Sequence, residues 1–123
     1  MSEIWKAIDI SPDYEVSNYG RFRSKDRKDI KRPYERWIKG KIMTPFISKG
    51  TGYLQVKINR KNYNLHRLVA TAFCDGSAPS LVVNHKNGIR TDNRAENLEW
   101  VTHSENIRHA FRELGKRVML PTY

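Results

Sequence analysis

The stretch VNHKNGIRTDNRAENLEWVTHSENIRH, residues 83–109, holds three of the chain's four histidines and five of its asparagines. Its apolar lead-in, "SLVV", reads as a short strand that stops abruptly at Asn84 and His85. Asn87 and Gly88 mark a tight turn, and "LEWV" reads as a returning strand with Leu98 and Trp100 on one face. Thr102 followed by Glu105 is a capping box, which opens a helix that Gly115 is placed to end. Ile107, Ala110, Phe111 and Leu114 form the buried stripe of that helix. His103 and Asn106 lie one turn apart beside the stripe, on the side that can face the preceding hairpin. Strand, loop, strand and helix therefore bring His85 and Asn106 within reach of one another.

Upstream, "LHRLVATAFC" carries apolar residues at Leu65, Leu68, Val69, Ala72 and Phe73, the pattern of a short amphipathic helix. Before it, "IMTPFISKGTGYLQVKINRKNYNL" gives the clearest strand signal in the chain. Leu54, Val56 and Ile58 alternate with Tyr53, Gln55, Lys57 and Asn59, so a half-buried antiparallel sheet with a basic and aromatic wet face is expected. The opening "IWKAIDISPDYEVSNYGRFRS" reads as short strands and a hairpin, with Phe22 inward and Arg21 and Arg23 outward. Residues Lys25 to Lys41 are charge-dense and lack a period. They read as an exposed loop, pinned to the body by Trp37 and Ile38.

With 123 residues and 38% hydrophobic content, the chain suits one domain with an intimately attached second module. The formal charge is +10, and between Arg21 and Lys61 there are 14 Lys and Arg against three acids. A pI near 9.9 makes nucleic acid the leading partner class and an anionic membrane surface the second. The single cysteine, Cys74, rules out an intramolecular disulfide and a cysteine-rich zinc site, and its apolar surroundings suit a small buried hydrophobe. No apolar run is long enough for a membrane span, and "MSEIWKAIDI" lacks the features of a signal peptide, so a cytoplasmic location is expected.

The unit beginning at Val82 resembles the ββα-metal motif of the HNH endonucleases, in "VNHKNGIRTDNRAENLEWVTHSEN" and in the preceding "LHRLVATAF". The opening "YEVSNYGRFRS" is similar to the nuclease-associated modular motif often fused ahead of this domain in homing endonucleases. The implied fold is α+β: a basic antiparallel β-sheet module over residues 1–65, then a ββα-metal nuclease domain over residues 66–123. In the branch whose third motif residue is asparagine, the resemblance puts the general base on His85, the central asparagine on Asn97 and metal ligands on Asn84 and Asn106. It implies one divalent cation, Mg²⁺ or Mn²⁺, a double-stranded DNA substrate, and products with 5′-phosphate and 3′-hydroxyl ends.

That chemistry is coherent: phosphodiester hydrolysis needs a deprotonated water in line with the scissile bond and a cation to offset charge on the phosphate oxygens. Asn97 would orient the His85 loop through its amide. Asn84 stands where relatives often have aspartate, so the two amides bring no negative charge to the cation, and weak metal binding without DNA is expected. Arg21, Arg23, Lys57, Arg60 and Lys61 are the candidate DNA contacts, because alternation or turn position puts them outside. Asn87 and Asn93 read as turn formers, His66 as a buried structural residue and His109 as exposed. His103 is an outer candidate for a metal or phosphate contact, and Arg94 and Lys86 read as solvated charge. A monomer with one site would nick; a weak dimer would cut both strands. Many homing relatives carry a further helix-turn-helix domain, whereas this chain ends at "KRVMLPTY", so looser sequence specificity is expected. The alternatives are an inactive DNA-binding module of the same fold, and a nuclease for RNA or structured DNA.

Overall fold

The chain's first antiparallel sheet is assembled from short strands whose alternate residues point inward. They are β1 (Trp5–Ala7), β2 (Tyr14–Ser17), β3 (Phe22–Ser24) and β6 (Ile42–Met43), in the order β1-β2-β3-β6. Val16 pairs with Phe22 across β2 and β3, and both are buried. Burial of a side chain like Phe22 contributes about 1.5–3 kcal/mol. Gly20, in the turn between β2 and β3, has a φ of +85°, a conformation that L side chains rarely adopt. The structure, a computed structural model, describes residues 2–29 and 34–112. The expected helix end at Gly115 and the stripe position Leu114 lie outside these residues, as does the side chain of Phe111.

The segment expected to be a loop, Lys25 to Lys41, instead contains an antiparallel pair, β4 (Arg27–Asp29) and β5 (Arg36–Ile38), with Lys28 opposite Trp37. Trp37 does not pin it to the body: the residue is 71% exposed, with the Lys28 ammonium 6.0 Å from its ring centroid. Backbone hydrogen bonding, which needs no apolar periodicity, makes this hairpin.

The "IMTPFIS" run also divides between sheets. β6 joins the first sheet, and after Thr44 and Pro45, β7 (Phe46–Ile47) pairs with β8 (Leu54–Ile58), which pairs with β9 (Lys61–Asn64). Val56 and Ile58 are buried and Lys57 is exposed, as the alternation anticipates. Asn59 and Arg60 turn the β8–β9 hairpin with φ of 49° and 69°. Two successive left-handed residues match the strand twist at a two-residue connection.

Helix α1 (Leu65–Phe73) follows β9 without a linker and lies at the centre of the molecule. Leu65, Leu68, Val69 and Ala70 are buried in one cluster with Ile8, Val16 and Phe22 of the first sheet region and Val56 and Ile58 of β8. Val83 of β10 (Val82–His85) and Leu98 of β11 (Leu98–Val101) complete it. The N-terminal strands and the C-terminal unit thus share one core. Trp100 donates its indole N–H to the Ala70 carbonyl at 3.4 Å, fixing the β10–β11 ribbon on α1. Cys74 packs against the same core, and burial pushes its thiol pKa up.

Helix α2 (His103–Arg112) starts at the expected capping box. The Thr102 N–H donates to Glu105 Oε1 at 3.0 Å, and the Glu105 N–H donates to Thr102 Oγ1 at 3.1 Å. Among the described residues, no helix is long and apolar enough to cross a membrane.

Candidate active site

β10 ends in two buried polar residues, Asn84 and His85, because the strand's apolar pattern stops there while its backbone pairing continues to His85 opposite Leu98. Alternation along the strand sends the two side chains to opposite sides of the β10–β11 ribbon. His85 turns toward α1 and toward Tyr53, just ahead of β8. It packs edge-on against His66 at 5.1 Å between ring centroids and stacks on Tyr53 at 5.8 Å. Its Nε2–H donates to Asn93 Oδ1 at 2.8 Å, which leaves the lone pair of the neutral ring on Nδ1. Only 6% of His85 is exposed, and desolvation lowers its pKa from the ordinary histidine value, partly opposed by the Asn93 hydrogen bond. A neutral, oriented imidazole at pH 7 is what a general base requires.

Asn93 is the residue the turn reading missed. It is 3% exposed, and its backbone is packed under the β2–β3 turn, where a Cβ added at Gly20 would lie 2.7 Å from the Asn93 carbonyl carbon and oxygen. The neighbouring Ala95 N–H donates to the Asn18 carbonyl at 2.9 Å. The first sheet therefore helps build the wall that holds His85. Only the two turn motifs hint at this in the sequence, and they lie far apart in the chain.

Among the described residues, the side-chain hydrogen bonds of Asn97 go to the loop and not to the His85 ring. Its amide closes the loop after His85: Oδ1 accepts from the Asn87 N–H at 3.1 Å, and Nδ2 donates to Asn87 Oδ1 at 3.0 Å and to the Asp92 carbonyl at 2.9 Å. Asn87 in turn donates through Nδ2 to Asp92 Oδ2 at 2.7 Å. Asp92 also receives two bonds from the Arg94 guanidinium, each 2.8 Å, and chiefly these hold its carboxyl down to about pKa 2. Asn87 is thus both the turn former expected and a strut of the loop. Arg94 is ion-paired with Asp92 and Glu96 rather than simply solvated.

On the other side of the ribbon, Asn84 stands opposite Glu99 and donates its Nδ2–H to Glu99 Oε1 at 2.9 Å. That bond commits the amide nitrogen to Glu99 and leaves the amide oxygen as a donor atom for a cation. Helix α2 packs against β10, and His109 Nε2–H donates to the Lys86 carbonyl at 2.8 Å. His109 is therefore half-buried and docked, not exposed as expected. Asn106 lies three residues earlier on α2, on the face that His109 turns toward β10. Among the described residues, no group of three His, Cys, Asp or Glu side chains could hold a metal. Oxygens of Asn84, Glu99 and Asn106 could serve as donors, and such a hard set would suit Mg²⁺ or Mn²⁺ better than a softer ion.

His66 is buried as expected, and desolvation lowers its pKa to about 3, with His85 and Arg67 adding to the effect. Its Nδ1 is buried without a hydrogen-bond partner. Of the candidate DNA contacts, Arg21 is ion-paired with Glu3, and Arg23 pairs with Glu15 at 2.8 Å while lying 4.0 Å from the Trp5 ring centroid. Lys57, Arg60 and Lys61 are exposed on the β8–β9 hairpin, and none of them is in an ion pair among the described residues. The five cations therefore form two groups, one neutralised locally and one displayed.

A hairpin that ends its first strand in an oriented histidine, backed by a helix and joined through a shared core to the first sheet, has the ββα arrangement expected from the sequence. The family comparisons agree: residues 3–59 match the NUMOD4 motif, and residues 63–108 match the HNH endonuclease family. An HNH endonuclease of Acanthamoeba polyphaga mimivirus is 40% identical over 118 residues, covering 89% of this chain and 26% of the relative. The DNA endonuclease I-HmuI of Bacillus phage SP01 is 36% identical over 108 residues, covering 84% of this chain and 55% of the relative. A solved structure of DNA binding and cleavage by the HNH homing endonuclease I-HmuI superposes with a TM-score of 0.71 at 33% identity, covering 94% of this chain and 62% of that one. The chain carries an HNH endonuclease domain with a NUMOD4 motif ahead of it. It spans less than two thirds of the length of each of these relatives.

Proposed function

We propose that this protein is a metal-dependent endonuclease of the homing type that hydrolyses phosphodiester bonds in double-stranded DNA, one strand per active site. The observation that carries the reading is His85: a buried, neutral imidazole whose Nε2–H is fixed on Asn93, so that Nδ1 takes a proton from water. The resulting hydroxide forms the new P–O bond, the bond to the 3′ oxygen breaks, and that oxygen gains a proton from solvent. A 5′-phosphate and a 3′-hydroxyl remain. Asn97 is a positioning residue, acting through Asn87 and Asp92 on the loop that follows His85.

Asn84 and Asn106 would hold one divalent cation, which supplies Lewis-acid stabilisation of the phosphate and of the leaving oxygen. Because base and cation donors sit on the two sides of one strand end, a phosphate lying across that end meets both. Residues 1–65 hold the duplex, chiefly through Lys57, Arg60 and Lys61, and residues 66–123 cut it. The protein works in the cytoplasm of the host cell as a monomer or weak dimer. The family match and the likeness to a DNA-cleaving homologue support this reading.

Relaxation of supercoiled plasmid, run with Mg²⁺, Mn²⁺ or EDTA beside a His85→Ala variant, tests it. Metal-dependent appearance of open-circular DNA that the substitution abolishes is expected. DNA binding by both proteins with cleavage by neither favours an inactive binding module, the reading to which the uncharged Asn84 would then belong.

A further inference from the structure

We propose that Glu99 supplies the negative charge of the cation site, acting on the metal directly or through Asn84, so that the Asn84–Glu99 pair does the work of a single carboxylate on β10. The inference rests on the nuclease reading above and extends its cation site by one residue. Three observations carry it. Asn84 and Glu99 are direct cross-strand partners, so both side chains leave the same face of the ribbon. The Asn84 amide nitrogen donates to Glu99 Oε1 at 2.9 Å, which fixes the amide's rotation and turns its oxygen away from the carboxylate. Asn84 is buried and Glu99 half-buried, so the charge lies partly out of water beside the strand end rather than in a solvated position.

The physical need is clear. Hard divalent cations are normally held with at least one carboxylate, and two neutral amides do not provide one. Among the described residues, Glu99 is the acid hydrogen-bonded to Asn84, and partners in this outer position commonly change metal affinity by about 10- to 100-fold when removed. Its polarising effect also makes the Asn84 oxygen a better donor, because an amide N–H bonded to a carboxylate pushes electron density toward the carbonyl.

The test is a titration of the free protein with Mn²⁺ alone, read by paramagnetic broadening of amide NMR signals around β10 and α2. It compares wild type, Glu99→Gln, and the exchange variant Asn84→Asp with Glu99→Gln, which keeps one carboxylate and one amide facing each other. The proposal expects local broadening in the wild type, a midpoint raised at least about tenfold by Glu99→Gln, and recovery to wild type or tighter in the exchange variant. A Glu99→Gln midpoint within about twofold of wild type overturns it, since a merely structural Glu99 would alter melting and not Mn²⁺ affinity. Should Glu99→Gln not fold, Glu99→Ser decides by the same criteria: a midpoint raised at least about tenfold supports the proposal, and one within about twofold of wild type overturns it. Absence of localised broadening in the wild type also overturns it, whereas the nuclease reading stands or falls separately on EDTA-sensitive plasmid cleavage.

Discussion

The ring of His66 makes acid stability a direct readout of how the site is built. It is buried between Tyr53 and His85, its pKa is lowered to about 3, and in the unfolded chain it returns to the ordinary value of 6.5. Between those values the unfolded chain binds a proton that the folded protein refuses, so stability is full above pH 6.5 and falls as pH drops. Each pH unit in that window is worth about 1.4 kcal/mol, and a descent from about pH 7.5 to about pH 5 costs roughly 2 kcal/mol through this one group. His85, also lowered, adds to the fall in the same direction. Urea unfolding of wild type and His66→Phe at the two pH values isolates the His66 share, because the substitution leaves the carboxylates and His85 in both proteins. The wild type is expected to lose roughly 2 kcal/mol more than the variant. An equal loss in both would mean that His66 is protonated in the folded protein, and the desolvated packing around His85 would be refuted.

The same depressed His85 pKa puts the acid limb of the nicking rate below pH 6.5, since the base must be neutral to act; a half-maximal rate above that value in single-turnover assays contradicts the assignment. Asn93→Ala is expected to slow nicking by about ten- to a hundredfold, the cost of a ring free to turn, while plasmid binding is retained. A rate within twofold of wild type would make the hydrogen bond incidental. Lys57→Ala with Lys61→Ala should flatten the dependence of log affinity on log salt by about 0.9 for each phosphate no longer neutralised, whereas Arg21→Ala, which only frees Glu3, should flatten it less. Equal effects would show that the local pairing of Arg21 does not survive on DNA.

What could be read in the sequence was local or periodic. The Thr102–Glu105 box, the β8 alternation from Leu54 to Ile58 and the Leu98–Trp100 face are fixed by neighbours in the chain and appear in the structure, whereas Tyr53, expected on the wet face, packs instead against His66 and His85. The β4–β5 hairpin could not be read, because its strands show no apolar alternation and are paired through their backbones. Asn93 and His109 were misjudged for a different reason. Each has its environment set by a distant segment, the Gly20 turn for one and the Lys86 carbonyl for the other. "DNR" is a turn by composition, and nothing in it announces that the middle residue is buried under another sheet. The Asn84–Glu99 pairing needs the register of two strands joined by a long loop, and that register is set by the Asn97 network rather than by a short turn.

That dependence on distant turns makes Gly20 a sharp probe of how the first sheet and the β10–β11 ribbon act together. The residue combines a φ of +85° with a site where an added Cβ would stand 2.7 Å from the Asn93 carbonyl carbon and oxygen, both backbone atoms that cannot swing aside. Gly20→Ala must therefore shift the turn, the Asn93 backbone or both, and backbone strain at such a position costs on the order of 1–3 kcal/mol. Any shift of Asn93 is passed to His85 through one 2.8 Å hydrogen bond, while the Lys57, Arg60 and Lys61 hairpin belongs to another sheet. The expected result is a folded protein that still binds plasmid but nicks it about tenfold more slowly or worse, because misplacement of a reacting group by about 1 Å costs up to 10²-fold. Melting followed by circular dichroism sets the folded fraction, and single-turnover nicking at saturating protein sets the rate per folded molecule. If that rate equals wild type while the melting temperature falls, Gly20 only supports the fold, and the first sheet does not position the base.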